Sequence, residues 1–185
     1  TSGTLADLAQ ARADLAVIAL PADEVIAALE IAGRMNCRAA VVISTGMSQQ
    51  QAAELKRIAK REGMFLLGPN SLGIQRPSLQ LNASAVGPLA SDGSLGLVCQ
   101  SGALTASILD WARSTGVGFS SVVSVGPHTD LGISQVLDFL AHDPRTQSIV
   151  VYMEGIQNAR RFMSALRSAA NAKPCTATGR AFAQG

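Results

Sequence analysis

Short aliphatic runs alternate along this chain with longer segments of helical period, and that alternation restricts the chain to βα units wound around parallel sheets. The run DLAVIAL at 14–20 reads as a buried strand, and 22–36 carries Val25, Ile26, Leu29 and Ala32 at helical spacing. The pattern repeats: AAVVIS at 39–44 is a strand, 49–62 an amphipathic helix facing inward with Leu55, Ile58 and Ala59, and 64–67 a short strand ending at Gly68. Residues 74–94 change texture, with Pro77, Pro88 and scattered glycine and serine, and read as an irregular crossing between two subdomains. Alternation then resumes, with strands expected at 95–99, 119–125 and 148–153 and helices at 103–115, 133–141 and 157–171. Cys175 to Gly185 shows no clear period.

Composition narrows the class. Hydrophobic residues make up 48 % of 185 positions, enough for a real core. The 15 basic and 13 acidic side chains are interspersed, without the basic stripe and interleaved aromatics of a nucleic-acid surface, so no nucleic-acid partner is expected. No apolar stretch approaches the roughly 20 residues that span a bilayer, and Thr1-Ser2-Gly3 opens neither a basic nor an apolar targeting segment, so a cytoplasmic protein with no membrane partner is expected. Cys37, Cys99 and Cys175 are an odd number at irregular spacing, which suits reduced thiols packed as small hydrophobes and gives no reason to expect a metal.

In open parallel sheets the ligand crevice lies at the carboxyl ends of the strands. The loops that fall there are Leu20-Pro21-Ala22, Ser44-Thr45-Gly46, Gly68-Pro69-Asn70-Ser71-Leu72-Gly73, Gln100-Ser101-Gly102, the loop from Gly126 to Asp130, and Glu154-Gly155. Small residues at such points have two readings. They make a tight strand-to-helix turn, with Ser101 as an N-cap, or they let backbone N–H groups close on an anion.

Several of these segments, taken in order, carry a family likeness. LLGPNSLGI, LNAS, LVCQSGAL, LDWA, GFSSVVSVG, DFLAHDPRTQSIVVYMEGI and ARRFMSAL resemble the NDP-forming acyl-CoA synthetases, relatives of the succinyl-CoA synthetase α subunit, from about residue 13 to residue 174. The same two domains also stand at the front of bacterial protein lysine acetyltransferases that end in a GNAT domain. The resemblance implies a Rossmann-like CoA-binding domain of which 1–85 is the C-terminal part, followed over 86–185 by a flavodoxin-like succinyl-CoA-synthetase-like domain, incomplete at its C-terminus.

It also implies roles. Pro21, Ala22, Ser44, Thr45 and Gly46 would line coenzyme A. Asn70 and Ser71 would lie in the loop near its thioester end, with Ser71 where the succinyl-CoA enzymes have cysteine. Ser101 and Gly102 would begin a helix whose N-terminus faces a phosphate or phosphohistidine. Glu154 would orient the catalytic imidazole and raise its basicity.

The departures are at the ends. The family's His-Thr-Gly loop, expected after Lys173-Pro174, has no match in CTATGRAFAQG, although Gly179-Arg180 echoes the dipeptide before it. The first βα unit, with a glycine-rich coenzyme A loop, belongs before Thr1, so a fragment of a longer polypeptide is expected. His128-Thr129 imitates the catalytic dipeptide but lies in the wrong loop, and His142 reads as a helix C-terminal residue.

Three functions remain open at this level. One is the coenzyme A-binding and phosphohistidine-facing portion of an acyl-CoA synthetase, oligomeric, with ATP or ADP handled by an ATP-grasp partner and acyl phosphate or acyl-CoA as the other ligand. The second is an acyl-CoA-sensing front of a protein acetyltransferase. The third is a noncatalytic subunit-interaction module.

Overall fold

The computed structural model describes residues 13–126, 131–156 and 158–179. Contacts divide it into two units. One runs to Gly73 and takes in Gly126 and Leu131 from further along the chain, and the other runs from Ile74 to Val125 and onward from Gly132.

In the first unit, β1 (Leu15–Ile18), α1 (Val25–Arg34), β2 (Ala39–Val42), α2 (Gln49–Arg61) and β3 (Phe65–Leu67) follow in order. The three strands form one parallel sheet, β1-β2-β3, with Leu15 opposite Ala39 and Val41 opposite Leu67. Parallel pairing puts every strand's carboxyl end on one edge of the sheet. Ile18, Val25, Leu29, Ala32, Val42, Leu55, Ile58 and Leu66 form the core between sheet and helices. Ile26 is only half-buried against it. The expected buried strand at 14–20 is shorter and less buried than its composition suggests. As the edge strand of this sheet, β1 has a described neighbour on one side only, and Val17 is 47 % exposed.

The second unit holds β4 (Gly73–Arg76, whose first residue belongs to the other unit), a single 3-10 turn at Pro77–Leu79, β5 (Leu81–Ser84), β6 (Asp92–Cys99), α3 (Gly102–Thr115), β7 (Phe119–Ser124), α4 (Ile133–His142), β8 (Ser148–Met153), α5 (Ala159–Ala172) and β9 (Cys175–Gly179). Its six strands run in the order β5-β4-β7-β6-β8-β9, and β6, β7, β8 and β9 are mutually parallel.

Two expectations are corrected here. Residues 74–94 are no irregular crossing: they supply two strands at one side of the sheet and the start of β6. Buried Gln75 organises them, donating from Nε2 to Ser84 Oγ (3.0 Å) and to the Val86 carbonyl (3.1 Å) and accepting from the Ala90 N–H at Oε1 (2.9 Å). The second correction is at 175–179, which forms the opposite edge strand in register with β8, Ile149 opposite Cys175.

A polar network lies at the β4 and α4 ends of this unit, while the buried Ser78 hydroxyl has no hydrogen-bond partner among the described residues. Arg76 lies over the Phe139 ring (5.2 Å) and donates to Ser121 Oγ (3.0 Å) and Asp143 Oδ1 (3.0 Å). Thr146 donates to Asp143 Oδ2 (2.9 Å) and so accepts from the Ser120 hydroxyl (2.7 Å). Lys173 Nζ donates to the carbonyls of Leu140 and Asp143. Burial pushes the Asp143 carboxyl up, but the hydrogen bonds from Arg76 and Thr146 outweigh it and hold it below the usual carboxylate range. His142 ends α4, its Nδ1 2.7 Å from the Asp138 carbonyl, and Asp143 is the C-cap. His128 lies outside the described residues.

Candidate functional site: the strand-end loops

In the first unit one buried side chain gathers the loops. Ser44, just past β2, donates from Oγ to the Leu20 carbonyl (2.6 Å) and accepts from the Leu20 N–H (2.9 Å), so both hydrogen-bonding functions of the hydroxyl are engaged by one backbone residue 24 positions away. Its own carbonyl accepts from the Asn70 N–H (3.0 Å). Three loops, those after β1, β2 and β3, therefore meet at Ser44, which is 7 % exposed.

The loops' remaining groups face outward. Pro21, Thr45 and Gly46 are exposed and Ala22 is half-buried. The Pro21 carbonyl accepts from the Glu24 N–H (2.9 Å), closing the turn into α1. Ser48 caps α2 in a reciprocal box, its Oγ accepting from the Gln51 N–H (3.2 Å) while its own N–H donates to Gln51 Oε1 (2.9 Å). Gln51 Nε2 reaches the Ala22 carbonyl at 3.5 Å. The Ser48-x-x-Gln51 spacing is itself a helix-start signal in the sequence.

The loop after β3 is built by close backbone approach. Gly68 has φ +96°, and a Cβ there would lie 2.2 Å from the Val42 carbonyl oxygen, so only glycine fits. Gly126, from the end of β7, packs the same way: a Cβ on it would lie 2.4 Å from the Pro69 carbonyl oxygen. Asn70 adopts φ +58° and is exposed. Ser71 is 2 % exposed, and its Oγ accepts from the Gly73 N–H (2.9 Å). Of this pair, Asn70 presents its side chain to solvent and Ser71 turns its hydroxyl into its own loop.

In the second unit Ser101 is the N-cap of α3, its Oγ accepting from the Leu104 N–H (3.4 Å) and its carbonyl from the Thr105 N–H (3.0 Å) and hydroxyl (2.8 Å). Gly102 opens the helix, and its N–H, like those of the rest of the first turn, has no intrahelical carbonyl to meet. The capping reading of Ser101 and the anion reading of its neighbours are compatible, because the cap occupies the Leu104 N–H and not that of Gly102. Beneath the turn, Cys99 Sγ lies 3.2 Å from the Ser101 carbonyl, and burial holds its thiol above the ordinary range. It is a packed thiol and not a thiolate nucleophile.

Glu154 follows β8 with its residue exposed, and its N–H donates to Gln100 Oε1 (2.6 Å). The same oxygen accepts from the Gly155 N–H (3.0 Å), and Gln100 Nε2 donates to the Gly155 carbonyl (3.1 Å). Ser101, Gly102 and Glu154 are thus brought to one edge of the sheet, at the carboxyl ends of the adjacent strands β6 and β8. Gln100 was not singled out by sequence reasoning; the one signal was a long amide side chain in a turn otherwise made of Ser and Gly.

Two α/β units, one with a three-stranded parallel sheet and one with four parallel strands β6 to β9, place small, polar loops at strand carboxyl ends, where open α/β sheets have their ligand crevice. Comparison with known proteins is more specific. Residues 2–77 match the CoA binding domain family, and residues 92–180 match the succinyl-CoA ligase like flavodoxin domain. The chain is 40 % identical over 167 residues to acetate–CoA ligase [ADP-forming] I of Archaeoglobus fulgidus, covering 87 % of this chain and 24 % of that protein. It is 34 % identical to the α subunit of acetate–CoA ligase [ADP-forming] I of Pyrococcus furiosus, again over 87 % of this chain and 36 % of the subunit. The structure of dinucleotide forming acetyl-coenzyme A synthetase 1 of Ca. Korarchaeum cryptofilum in complex with phosphate and ADP superposes with a TM-score of 0.87 at 32 % identity, over 92 % of this chain and 38 % of that one. The chain therefore carries a CoA binding domain match followed by a succinyl-CoA ligase like flavodoxin domain match, is similar to ADP-forming acyl-CoA synthetases, and spans between 24 % and 38 % of the length of these relatives.

Proposed function

We propose that this chain is the coenzyme A-binding and succinyl-CoA-synthetase-like portion of an ADP-forming acyl-CoA synthetase, working with an ATP-grasp domain or subunit. The observation that carries the proposal is the convergence at Ser44 of the three strand-end loops of the unit matched by the CoA binding domain family. The Pyrococcus furiosus relatives are α subunits of acetate–CoA ligases, which supports a separate nucleotide-handling partner. The acyl group is proposed to be small, since the relatives named here act on acetate.

In this reading the loops carrying Pro21, Ala22, Thr45 and Gly46 approach the nucleotide end of coenzyme A, where the short Ala22 and Gly46 leave room for backbone N–H groups to reach phosphate and base and Pro21, which has no N–H, stiffens its turn. Ser44 lines the same site and holds those loops together, its hydroxyl proton already donated to the Leu20 carbonyl. Asn70, with a donor and an acceptor on one side chain, addresses the acyl-thioester end, and Ser71 shapes the loop that carries it.

In the second unit the Gly102 N–H and the positive end of α3 face a phosphoryl group. Glu154 accepts a hydrogen bond from the imidazole that carries that group, fixing its tautomer and stabilising its cationic form. That imidazole and the nucleotide site are assigned to segments outside 1–185. A carboxylate beside a bound anion is tolerated only with a donor between them, and that is the place the imidazole would take.

The test uses the full polypeptide with its nucleotide-handling partner, supplied with ATP, acetate and coenzyme A. Thioester formation coupled to ADP release is expected, with Gly102→Val abolishing phosphorylation of the protein because a branched side chain crowds the first-turn amides. Absence of thioester formation with acetate and with other small carboxylates, or normal phosphorylation of the Gly102→Val protein, would overturn the reading. Residues 1–185 alone are expected to form no thioester, and turnover by them would do the same.

A further inference from the structure

We infer that Gln100 is a positioning residue that holds Glu154 in fixed register with the N-terminus of α3; this rests on the role proposed for Glu154 above. The parallel ladder between β6 and β8 pairs Cys99 with Tyr152, and its last backbone rung is the Gln100 N–H donating to the Tyr152 carbonyl (3.0 Å). Beyond that rung β6 turns away at Ser101 to begin α3, and β8 continues into Glu154 and Gly155 with no β6 backbone beside it.

The Gln100 side-chain amide takes the place of the missing strand. It accepts from the Glu154 N–H (2.6 Å) and the Gly155 N–H (3.0 Å), and donates to the Gly155 carbonyl (3.1 Å). An amide is the one side-chain group that presents an acceptor and a donor in the spacing of a peptide unit. A carboxylate in its place would put an oxygen against the Gly155 carbonyl, and an apolar side chain would satisfy neither.

The consequence is geometric. The Glu154 residue is exposed, so burial does not orient it; its backbone is pinned instead, by a residue covalently adjacent to the cap of α3. Helix N-terminus and Glu154 backbone are thereby referred to one residue, and the carboxylate reaches a group held at the helix end from a fixed Cα. Displacement of a catalytic group by about 1 Å costs on the order of 100-fold in rate.

The experiment follows transfer of labelled phosphate from ATP to the full polypeptide in the presence of its nucleotide-handling partner, for Gln100→Met, Glu154→Gln and the double variant, together with the KM for coenzyme A. Gln100→Met and Glu154→Gln are each expected to slow phosphoryl transfer by about 100-fold, with the double variant no slower than the slower single one and the coenzyme A KM unchanged. Losses that multiply in the double variant would mean that Gln100 acts independently of Glu154, and would overturn the inference. Wild-type transfer by Gln100→Met beside a slow Glu154→Gln would overturn it and leave the role of Glu154 standing. Wild-type transfer by Glu154→Gln would remove that role and the inference with it. Should Gln100→Met fail to fold, Gln100→Glu serves: it keeps the acceptor for both N–H groups and loses the donor, and is expected to slow transfer by about tenfold, a wild-type rate again counting against the inference.

Discussion

Both units tie their strand-end loops with one polar side chain, yet Ser44 and Gln100 do it in different surroundings. Ser44 is buried at 7 % exposure, and its short hydroxyl is closed on a single backbone residue, Leu20. Gln100 is only half-buried and spreads three hydrogen bonds over Glu154 and Gly155. A buried clamp is part of the fold, since its removal strands a donor and an acceptor away from water. A partly solvated clamp can be lost with water stepping in, so its removal moves the loop more than it unfolds the unit. The first unit's loops are therefore bound to stability, and the second unit's Glu154 loop is bound to geometry.

That contrast can be broken most forcefully at the first unit's backbone. Gly68→Ala places a Cβ against the Val42 carbonyl at a left-handed φ, and is expected to destabilise the first unit by about 3 kcal/mol or more in a denaturant titration; a smaller loss would mean that the loop after β3 yields easily.

Next in size, Ser44→Ala leaves the Leu20 N–H and carbonyl without their partner. It should cost about 1–3 kcal/mol and weaken coenzyme A binding, whereas Gln100→Met should cost about 1 kcal/mol or less and leave coenzyme A binding untouched. Equal losses of stability at the two positions would erase the distinction drawn here.

Acid separates the units in another way. The Asp143 carboxyl is held below its unfolded value of 3.8, so its contribution is present above that pH and is lost as pH falls through the folded value. The second unit is expected to lose stability below about pH 4, and Asp143→Asn to flatten that part of the profile while lowering stability at neutral pH. An unchanged acid limb in the variant would point to other carboxylates. The smallest effect belongs to the exposed Glu54–Arg57 pair on α2, which holds the Glu54 carboxyl below its usual range through the Arg57 hydrogen bond; Arg57→Ala should leave thermal unfolding where it was.

Much of this architecture is written locally. Val25, Leu29 and Ala32, and Leu55, Ile58 and Ala59, announce their inward faces by spacing alone, and the fold buries them. The segment 74–94 misled because its strands sit at one side of the sheet and are short, with prolines and glycines between them, and local texture there is indistinguishable from a loop. The strand at 175–179 hid because CTATG is only five residues long and its alternation runs over small side chains, and it is a strand because β8 offers it a partner.

The sequence by itself determined the order of βα units, the helix caps at Ser48 and Ser101, the loops in which a ligand site can lie, and the likeness of those loops to the acyl-CoA synthetases. Each is set by residues within a few positions of one another, where hydrophobic period and turn chemistry act. Only the tertiary structure decided which loops meet. Ser44 finds Leu20 across 24 residues and Gln100 finds Gly155 across 55, because strand order in the two sheets lays β2 beside β1 and β8 beside β6. A hydroxyl or an amide in a sequence declares what it can bond, but its partner is chosen by the neighbour that a crossover brings alongside.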